Sequence, residues 1–351
     1  MPAANTNVTP SNTAISAPGT GPSPQLFFET ANAFQRSQAL KAAVELELFT
    51  VIGDGKQSFE EIAAGCNASA RGTRILCDFL VINGFLRKQA NRYSLTRDSA
   101  VFLNKKSPAY LGSALRFLLT PEKVEGYNIL VEAVRKGGTA IEHHAMLPEN
   151  PIWVEFAQSM APLMTMPAEM LATMLKAEQG KPWKVLSLAV GHGLYETSLA
   201  RHNSNAEIWA VDWPNVLELA RTNAVNAGIG NRFHTIPGSA FDVEYGADYD
   251  LVLVVNFLHH FGKAACEKLL KKVQASLKPG GQVVIVEFVP NEDRVSPAIS
   301  AAFSLIMLAE TPGGDAYTFS EFRQMLENSG FHDPELHPLE PTFFSVVTGT
   351  K

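Results

Sequence analysis

From Lys184 to Lys351 the chain alternates short apolar runs with amphipathic ones, and few folds accommodate that pattern. KVLSLAV, AEIWAVD, RFHTIPG, DYDLVLVVN and QVVIVEFV are short and rich in β-branched residues, as strands are. LYETSLARHN, NVLELARTNAVNAG and KAACEKLLKKVQASL lie between them with the apolar spacing of helices, the last ended by Lys278-Pro279-Gly280-Gly281. SPAISAAFSLIML follows as a helix, with Ser296 the expected N-cap and Pro297 at its first position. FSEFRQMLENSG reads as the last helix, before two short strands. The alternation predicts the α/β class, with a doubly wound, mostly parallel sheet. Ligands of such sheets bind beyond the carboxyl ends of the strands, so those ends are where chemistry is expected.

The first strand runs out through VLSLAVGHG. Gly191 and Gly193 permit a tight turn and close backbone approach, and the helix that follows offers an N-terminus to a carboxylate or phosphate. Two glycines in a turn are a weak signal alone. The second strand ends at Asp212, followed by Trp213-Pro214, about 20 residues beyond the glycines, where an acid commonly binds a ribose hydroxyl pair. The third is followed by Gly238-Ser239-Ala240-Phe241-Asp242, where Ser239 and Phe241 suit the edge and face of an adenine, and Asp242 reads equally as a solvated loop acid. The fourth ends in Asn256-Phe257-Leu258-His259-His260-Phe261. A histidine at the end of a central strand suits a general base, because its pKa lies near neutrality. The fifth ends at Glu287, across the same cleft, where a carboxylate can orient an imidazole. The plainer alternatives are a structural histidine and a buried acid bonded to backbone.

Upstream, 351 residues imply two domains. Residues 1–24 are uncharged and rich in Ala, Ser, Thr, Asn and Pro, and are expected to be a disordered tail. FFETANAFQRSQALKAAVELELFTVI has the period of an amphipathic helix. SFEEIAAGC has the spacing of a capping box, Ser58 to Glu61. RGTRILCDFLVINGFLRKQANRYSLT predicts a helix ended by Asn83-Gly84, then a hairpin turning near Gln89–Arg92. This is a winged-helix plan, but its would-be recognition helix is mostly apolar beyond the first turn, and the chain carries a net charge of −6. A packing or dimer-forming role is expected instead of DNA binding. Tyr110 to Gln179 reads as all helical and rich in methionine, with Phe156, Met160, Met164 and Met166 forming a stripe that suits a core or an adaptable wall around a planar ligand. No apolar run reaches membrane-spanning length, and three scattered cysteines give neither a disulfide framework nor a metal site. Free buried thiols in a reducing cytoplasm are expected.

Together these segments resemble the S-adenosylmethionine-dependent small-molecule O-methyltransferases of the plant caffeate and hydroxyindole type and their bacterial relatives, over residues 25–351. VLSLAVGHG is similar to that family's first cofactor loop, VDWPNVLE to its ribose-binding segment, and LKPGG to a later turn. MLAETPGG, with Tyr317-Thr318 beyond it, is similar to a substrate-side motif. The resemblance implies a Rossmann-like catalytic domain over residues 181–351 and a helical linker and substrate-pocket segment over residues 110–180. It makes residues 25–109 a winged-helix-like dimerisation domain whose helices interlock in a homodimer. LHHF stands where the family has His-Asp-Trp, so His259 falls on the catalytic base, His260 on the following acid and Glu287 on the acid that holds the base. Ser187, Gly191, Gly193, Asp212, Trp213, Ser239, Ala240, Phe241 and Asn256 fall on the cofactor site. Phe156, Met160, His260, Phe303, Met307 and Thr311 fall on the pocket for an aromatic acceptor.

The implied reaction is metal-free transfer of a methyl group to a hydroxyl of a small phenolic or polyketide-like molecule, with neither nucleic acid nor membrane as partner. Four positions depart from the pattern. Ser187 replaces the acid of the first loop, Ser239 the acid near adenine, and Ala316 a second acid after Gly313-Gly314, while Val190 adds bulk where the backbone should lie close to the ligand. A lost charged hydrogen bond costs about 1.5–3 kcal/mol. The same scaffold put to hydroxylation, decarboxylation or pericyclic chemistry is therefore the alternative, followed by a winged-helix DNA-binding regulator.

Overall fold

A computed structural model describes residues 21–142 and 152–351. The expected tail falls largely on residues 1–20, outside the described residues. The chain divides into two compact units, with the boundary between Leu115 and Arg116.

The first unit is helical with one hairpin. The single helix expected at its start is three: α1 (Gln25–Ala31), α2 (Ala33–Glu45) and α3 (Leu48–Gly53). The Asn32 amide donates back to the Phe28 carbonyl at 2.9 Å, a local bond that competes with helix continuation. Glu47 takes a left-handed φ of 52° and turns the chain. The turn brings Leu48, Phe49 and Ile52 into a core with Ile62, Leu80 and Tyr93. Both halves of the capping box open α4 (Phe59–Gly65): Glu61 N donates to Ser58 Oγ at 3.2 Å, and Ser58 N to Glu61 Oε2 at 3.0 Å. α5 (Ala70–Ile82) ends at Asn83, and β1 (Leu86–Gln89) pairs antiparallel with β2 (Arg92–Leu95), before α6 (Arg97–Phe102). Arg74 and Lys88, two cations a DNA-reading wing and helix would present, both pair with Asp78, at 3.1 and 2.6 Å. Leu26, Phe27, Phe28 and Phe34 instead leave an apolar surface exposed on α1 and α2.

The unit boundary falls within α7 (Ala114–Leu118). The second unit then runs through α8 (Pro121–Asn128), α9 (Leu130–Lys136) and α10 (Ile152–Met174). Strands and helices follow as β3 (Lys184–Leu188), α11 (Leu194–His202), β4 (Glu207–Asp212), α12 (Pro214–Asn226), β5 (Phe233–Pro237), β6 (Tyr249–Val255) and α13 (Lys263–Ser276). β7 (Leu277–Glu287), α14 (Ala298–Glu310), α15 (Phe319–Asn328), β8 (His332–Pro338) and β9 (Ser345–Thr350) complete it. The sheet order is β5-β4-β3-β6-β7-β9-β8, with the first five strands parallel and β9 antiparallel to both neighbours. Apolar layers cover both faces, which is why these strands are continuously hydrophobic rather than alternating. The strand order reverses between β3 and β6, the place where a doubly wound sheet opens a crevice.

Two local expectations are corrected. LKPGG is the start of β7, not a free turn. α14 begins at Ala298 with Pro297 as its N-cap residue, because the Ser296 hydroxyl donates to Asp293 Oδ2 at 2.6 Å instead of capping the helix. Of the thiols, Cys77 and Cys266 are buried and Cys66 is half-buried. No described helix is long and apolar enough to cross a membrane.

Candidate active site

A cavity of about 260 Å³ lies beyond the carboxyl ends of β3, β4 and β6 and the loop after β5. Gly191 and Gly193 make the turn out of β3, with φ of 56° and 74°. At Gly193 a Cβ would also sit 3.3 Å from that of Ala220, so the turn is fixed by conformation and by packing. His192, between the two glycines, also lines the cavity, its Nδ1 accepting from Leu194 N at 3.1 Å at the start of α11. Asp212 closes the loop from β4: its Oδ2 accepts from Gly191 N at 2.9 Å and its Oδ1 from Trp213 N at 2.7 Å. Burial pushes the Asp212 carboxyl up to about 6 against the pull of those two amides. Trp213, Ser239, Ala240, Phe241 and Asn256 line the same cavity. Asn256 sits at a left-handed φ of 48°, its Nδ2 is 3.8 Å from the Met164 sulfur, and its buried Oδ1 has no partner.

Ser187 does not reach the cavity. It is fully buried in β3, and its hydroxyl donates to Glu196 Oε1 in the first turn of α11. Glu196 is the residue that lines the cavity, 2% exposed, with its Oε2 lacking any partner. Sequence reasoning missed it because an acid in a first helical turn reads as a solvated residue facing the helix dipole. Here α10 covers α11, with Ser198 donating to Glu169 at 2.7 Å and the Tyr195 hydroxyl 3.8 Å from Met164 Sδ. The acid is therefore enclosed. Burial pushes its carboxyl up to about 7, with the Ser187 hydrogen bond opposing and the charge of Asp212 adding.

On the other side of β3, His259 and Glu287 meet. Glu287 Oε2 lies 2.6 Å from His259 Nδ1, and Oε1 accepts from the backbone N–H groups of Phe257 at 3.0 Å and His259 at 3.3 Å. Both residues are buried, Glu287 completely. Phe303 stands edge-on to the His259 ring at 4.8 Å and stacks on Phe288. The His260 ring is 4.2 Å from that of His259 and lines the cavity, its Nδ1 buried and unpartnered. Burial, then the neighbouring His259 and Lys123, hold the His260 imidazole well below the ordinary histidine range, so it is neutral.

Of the other expected pocket residues, Phe156 lines the cavity beside Trp153, which the sequence did not single out and whose ring lies 5.4 Å from that of His260. Met160 packs onto the core. Met307 and Thr311 are buried away from the cavity. The Thr311 hydroxyl donates to the Met307 carbonyl at 2.7 Å and accepts from Gly314 N at 2.8 Å, so it builds the turn after α14 rather than a substrate wall. That turn abuts the histidine pair: a Cβ on Gly314 would fall 2.1 Å from the His259 carbonyl oxygen.

Comparison with known proteins settles the family. An O-methyltransferase domain matches residues 154–332, just over half the chain, and an O-methyltransferase dimerisation domain matches residues 28–105. The chain belongs to the O-methyltransferase family. This O-methyltransferase is 26% identical over 333 residues to a 3-hydroxy-5-methyl-1-naphthoate 3-O-methyltransferase of Streptomyces sahachiroi, covering 93% of the chain and 95% of the relative. It is 25% identical over 326 residues to the acetylserotonin O-methyltransferase of Macaca mulatta, covering 88% and 92%. Among solved structures, a Nostoc punctiforme protein assigned as an O-methyltransferase superimposes with a TM-score of 0.91 at 51% identity, covering 95% of this chain and all of the other. The chain is thus an S-adenosylmethionine-dependent O-methyltransferase by family, with structural neighbours solved with S-adenosylmethionine or S-adenosylhomocysteine bound, and no comparison favours the non-methylating alternative.

Proposed function

We propose that this O-methyltransferase methylates a hydroxyl of a small aromatic molecule, phenolic or polyketide-like, with His259 as general base and Glu287 holding it. The observation that carries the reading is the His259–Glu287 pair after β6, which does not itself line the cavity but lies against His260, which does. The relatives acting on a hydroxynaphthoate and on acetylserotonin support an aromatic acceptor.

The cavity fits the cofactor. It is lined by Glu196, Asp212 and Asp242 and by neither Lys nor Arg, which suits a ligand with two cationic centres, and Asn256, whose buried Oδ1 has no partner, belongs to the same wall. Asp212 and Trp213 would hold the ribose, and Ser239, Ala240 and Phe241 the adenine. When bound, S-adenosylmethionine supplies an electrophilic methyl on a sulfonium. The residues of the chain do the rest. A phenol, with a pKa of about 10, is a weak nucleophile until it is deprotonated. Glu287 takes the Nδ1–H of His259, which leaves Nε2 as an acceptor for the phenolic proton. Neutral His260 offers a hydrogen bond to the acceptor without competing for its proton. Trp153 and Phe156 give the acceptor an apolar wall and exclude water.

Residues 25–109 act as the dimerisation domain and 110–180 as the linker and pocket segment, with residues 181–351 the catalytic domain. The dimerisation-domain match and the exposed Phe27, Phe28 and Phe34 support a homodimer. A cytoplasmic location is in keeping with three unpaired thiols. Calorimetric titration with S-adenosylmethionine and S-adenosylhomocysteine tests the reading first. Micromolar binding of both, followed by methylation of a phenolic acceptor, is expected; a folded protein that binds neither would overturn it.

A further inference from the structure

We infer that Glu196 is the receptor for the ammonium group of the methyl donor's amino-acid moiety, with Ser187 as the residue that aims it. This rests on the cofactor reading above and assigns a contact which that reading leaves open. Glu196 is the one carboxylate of the cavity wall with a wholly unpartnered buried oxygen among the described residues: both oxygens of Asp212 already accept backbone amides. A buried carboxylate oxygen without a partner is costly, so its presence at a cavity wall points to a ligand that completes it.

The order of the strands says which part of the ligand that is. The nucleoside residues sit after β4 and β5, and the histidine pair sits after β6, on the other side of β3. Glu196 lies between them, in the first turn of the helix that leaves β3. The sulfonium has to face the histidine side, where the methyl is transferred, which leaves the ammonium as the cation for the carboxylate beneath the β3 loop. The Ser187 hydroxyl holds Oε1, which leaves the buried Oε2 as the oxygen still open to a partner at this part of the cavity wall. The acid absent from position 187 is thereby supplied from the next helix.

The test is a binding experiment with three probes, S-adenosylmethionine, S-adenosylhomocysteine and 5′-methylthioadenosine, which lacks the amino-acid part. Glu196→Gln should weaken the first two alike, by about 10- to 100-fold, and leave the third unchanged. Ser187→Ala should weaken the first two in the same sense but less. Retained methylthioadenosine binding certifies that the variant is folded. Unchanged affinity for all three, equal loss of all three, or a loss confined to S-adenosylmethionine would each overturn the ammonium assignment. Wild-type protein that binds none of the probes would instead bring down the cofactor reading, and the inference with it.

Discussion

Glu287 grips His259 at both its ring and its backbone, with one carboxylate oxygen 2.6 Å from Nδ1 and the other accepting the residue's own amide at 3.3 Å. The ring is thus fixed in direction and in tautomer by a single side chain that is itself completely buried in β7. His259→Gln should lower turnover about 10²- to 10⁴-fold while S-adenosylhomocysteine binding stays intact. His260→Gln should cost less, since His260 has no carboxylate to hold it. Single-turnover rates for the two variants decide the matter; a larger loss at His260 would move the base by one residue.

Gly314 carries no functional group, yet it should matter to catalysis. A methyl there would strike the His259 carbonyl, so Gly314→Ala must shift either the turn or the base. Turnover should fall by about 10²-fold, as for an ångström-scale misplacement, with cofactor affinity unchanged. A variant with wild-type kcat would show that the turn yields without moving His259.

Asp212 has a double duty. Asp212→Ala removes the expected ribose contact and also the acceptor for the Gly191 and Trp213 amides. Both cofactor affinity and Tm should drop, the affinity by roughly 10-fold or more. A lowered Tm with undiminished affinity for S-adenosylhomocysteine would remove Asp212 from the ribose.

Glu196 makes stability depend on pH in a predictable direction. Its carboxyl is raised by burial from 4.5 to about 7, so the folded protein binds the proton more tightly than the unfolded chain. The associated stability is present below pH 4.5 and is lost as pH rises through 7. In Glu196→Gln that loss vanishes, so the variant should gain on the wild type between those pH values, by up to about 3 kcal/mol. Asp212, raised to about 6, acts in the same sense, and His192, lowered to about 4 by burial, in the opposite one. His192 is common to the two proteins and cancels in the difference, whereas Asp212, whose charge raises Glu196, contributes to it through that coupling. Thermal melts at several pH values measure it, and a Tm difference that does not change with pH contradicts the account.

The apolar face of α1 and α2 should hold the homodimer together. Phe27→Ser combined with Phe28→Ser is expected to shift the protein toward monomer in light scattering after size-exclusion chromatography, without lowering the Tm of the catalytic domain. An unchanged dimer would place the contact elsewhere.

Periodicity revealed the parallel strands of the sheet, because continuous β-branched runs between glycine turns admit few other readings. The capping box at Ser58 and the β1–β2 hairpin were legible for the same reason: each is specified within a few residues. What sequence concealed depends on neighbours distant along the chain. Glu196 is enclosed only because α10 lies over α11, and Thr311 is drawn from the pocket by its own helix terminus. Trp153 gains its place from His260, more than a hundred residues later. The break at Glu47 is a left-handed residue at a position no glycine marks.

The place of β3 between β4 and β6 divides the labour of the enzyme. On the proposed assignment, the residues for the nucleoside hang from one side of that strand, and those for the acceptor hang from the other and from α10. A change of acceptor therefore asks for new side chains around Trp153, Phe156 and His260, while Gly191, Asp212 and Phe241 stay as they are. On that assignment the fold is a fixed donor socket with an interchangeable acceptor face.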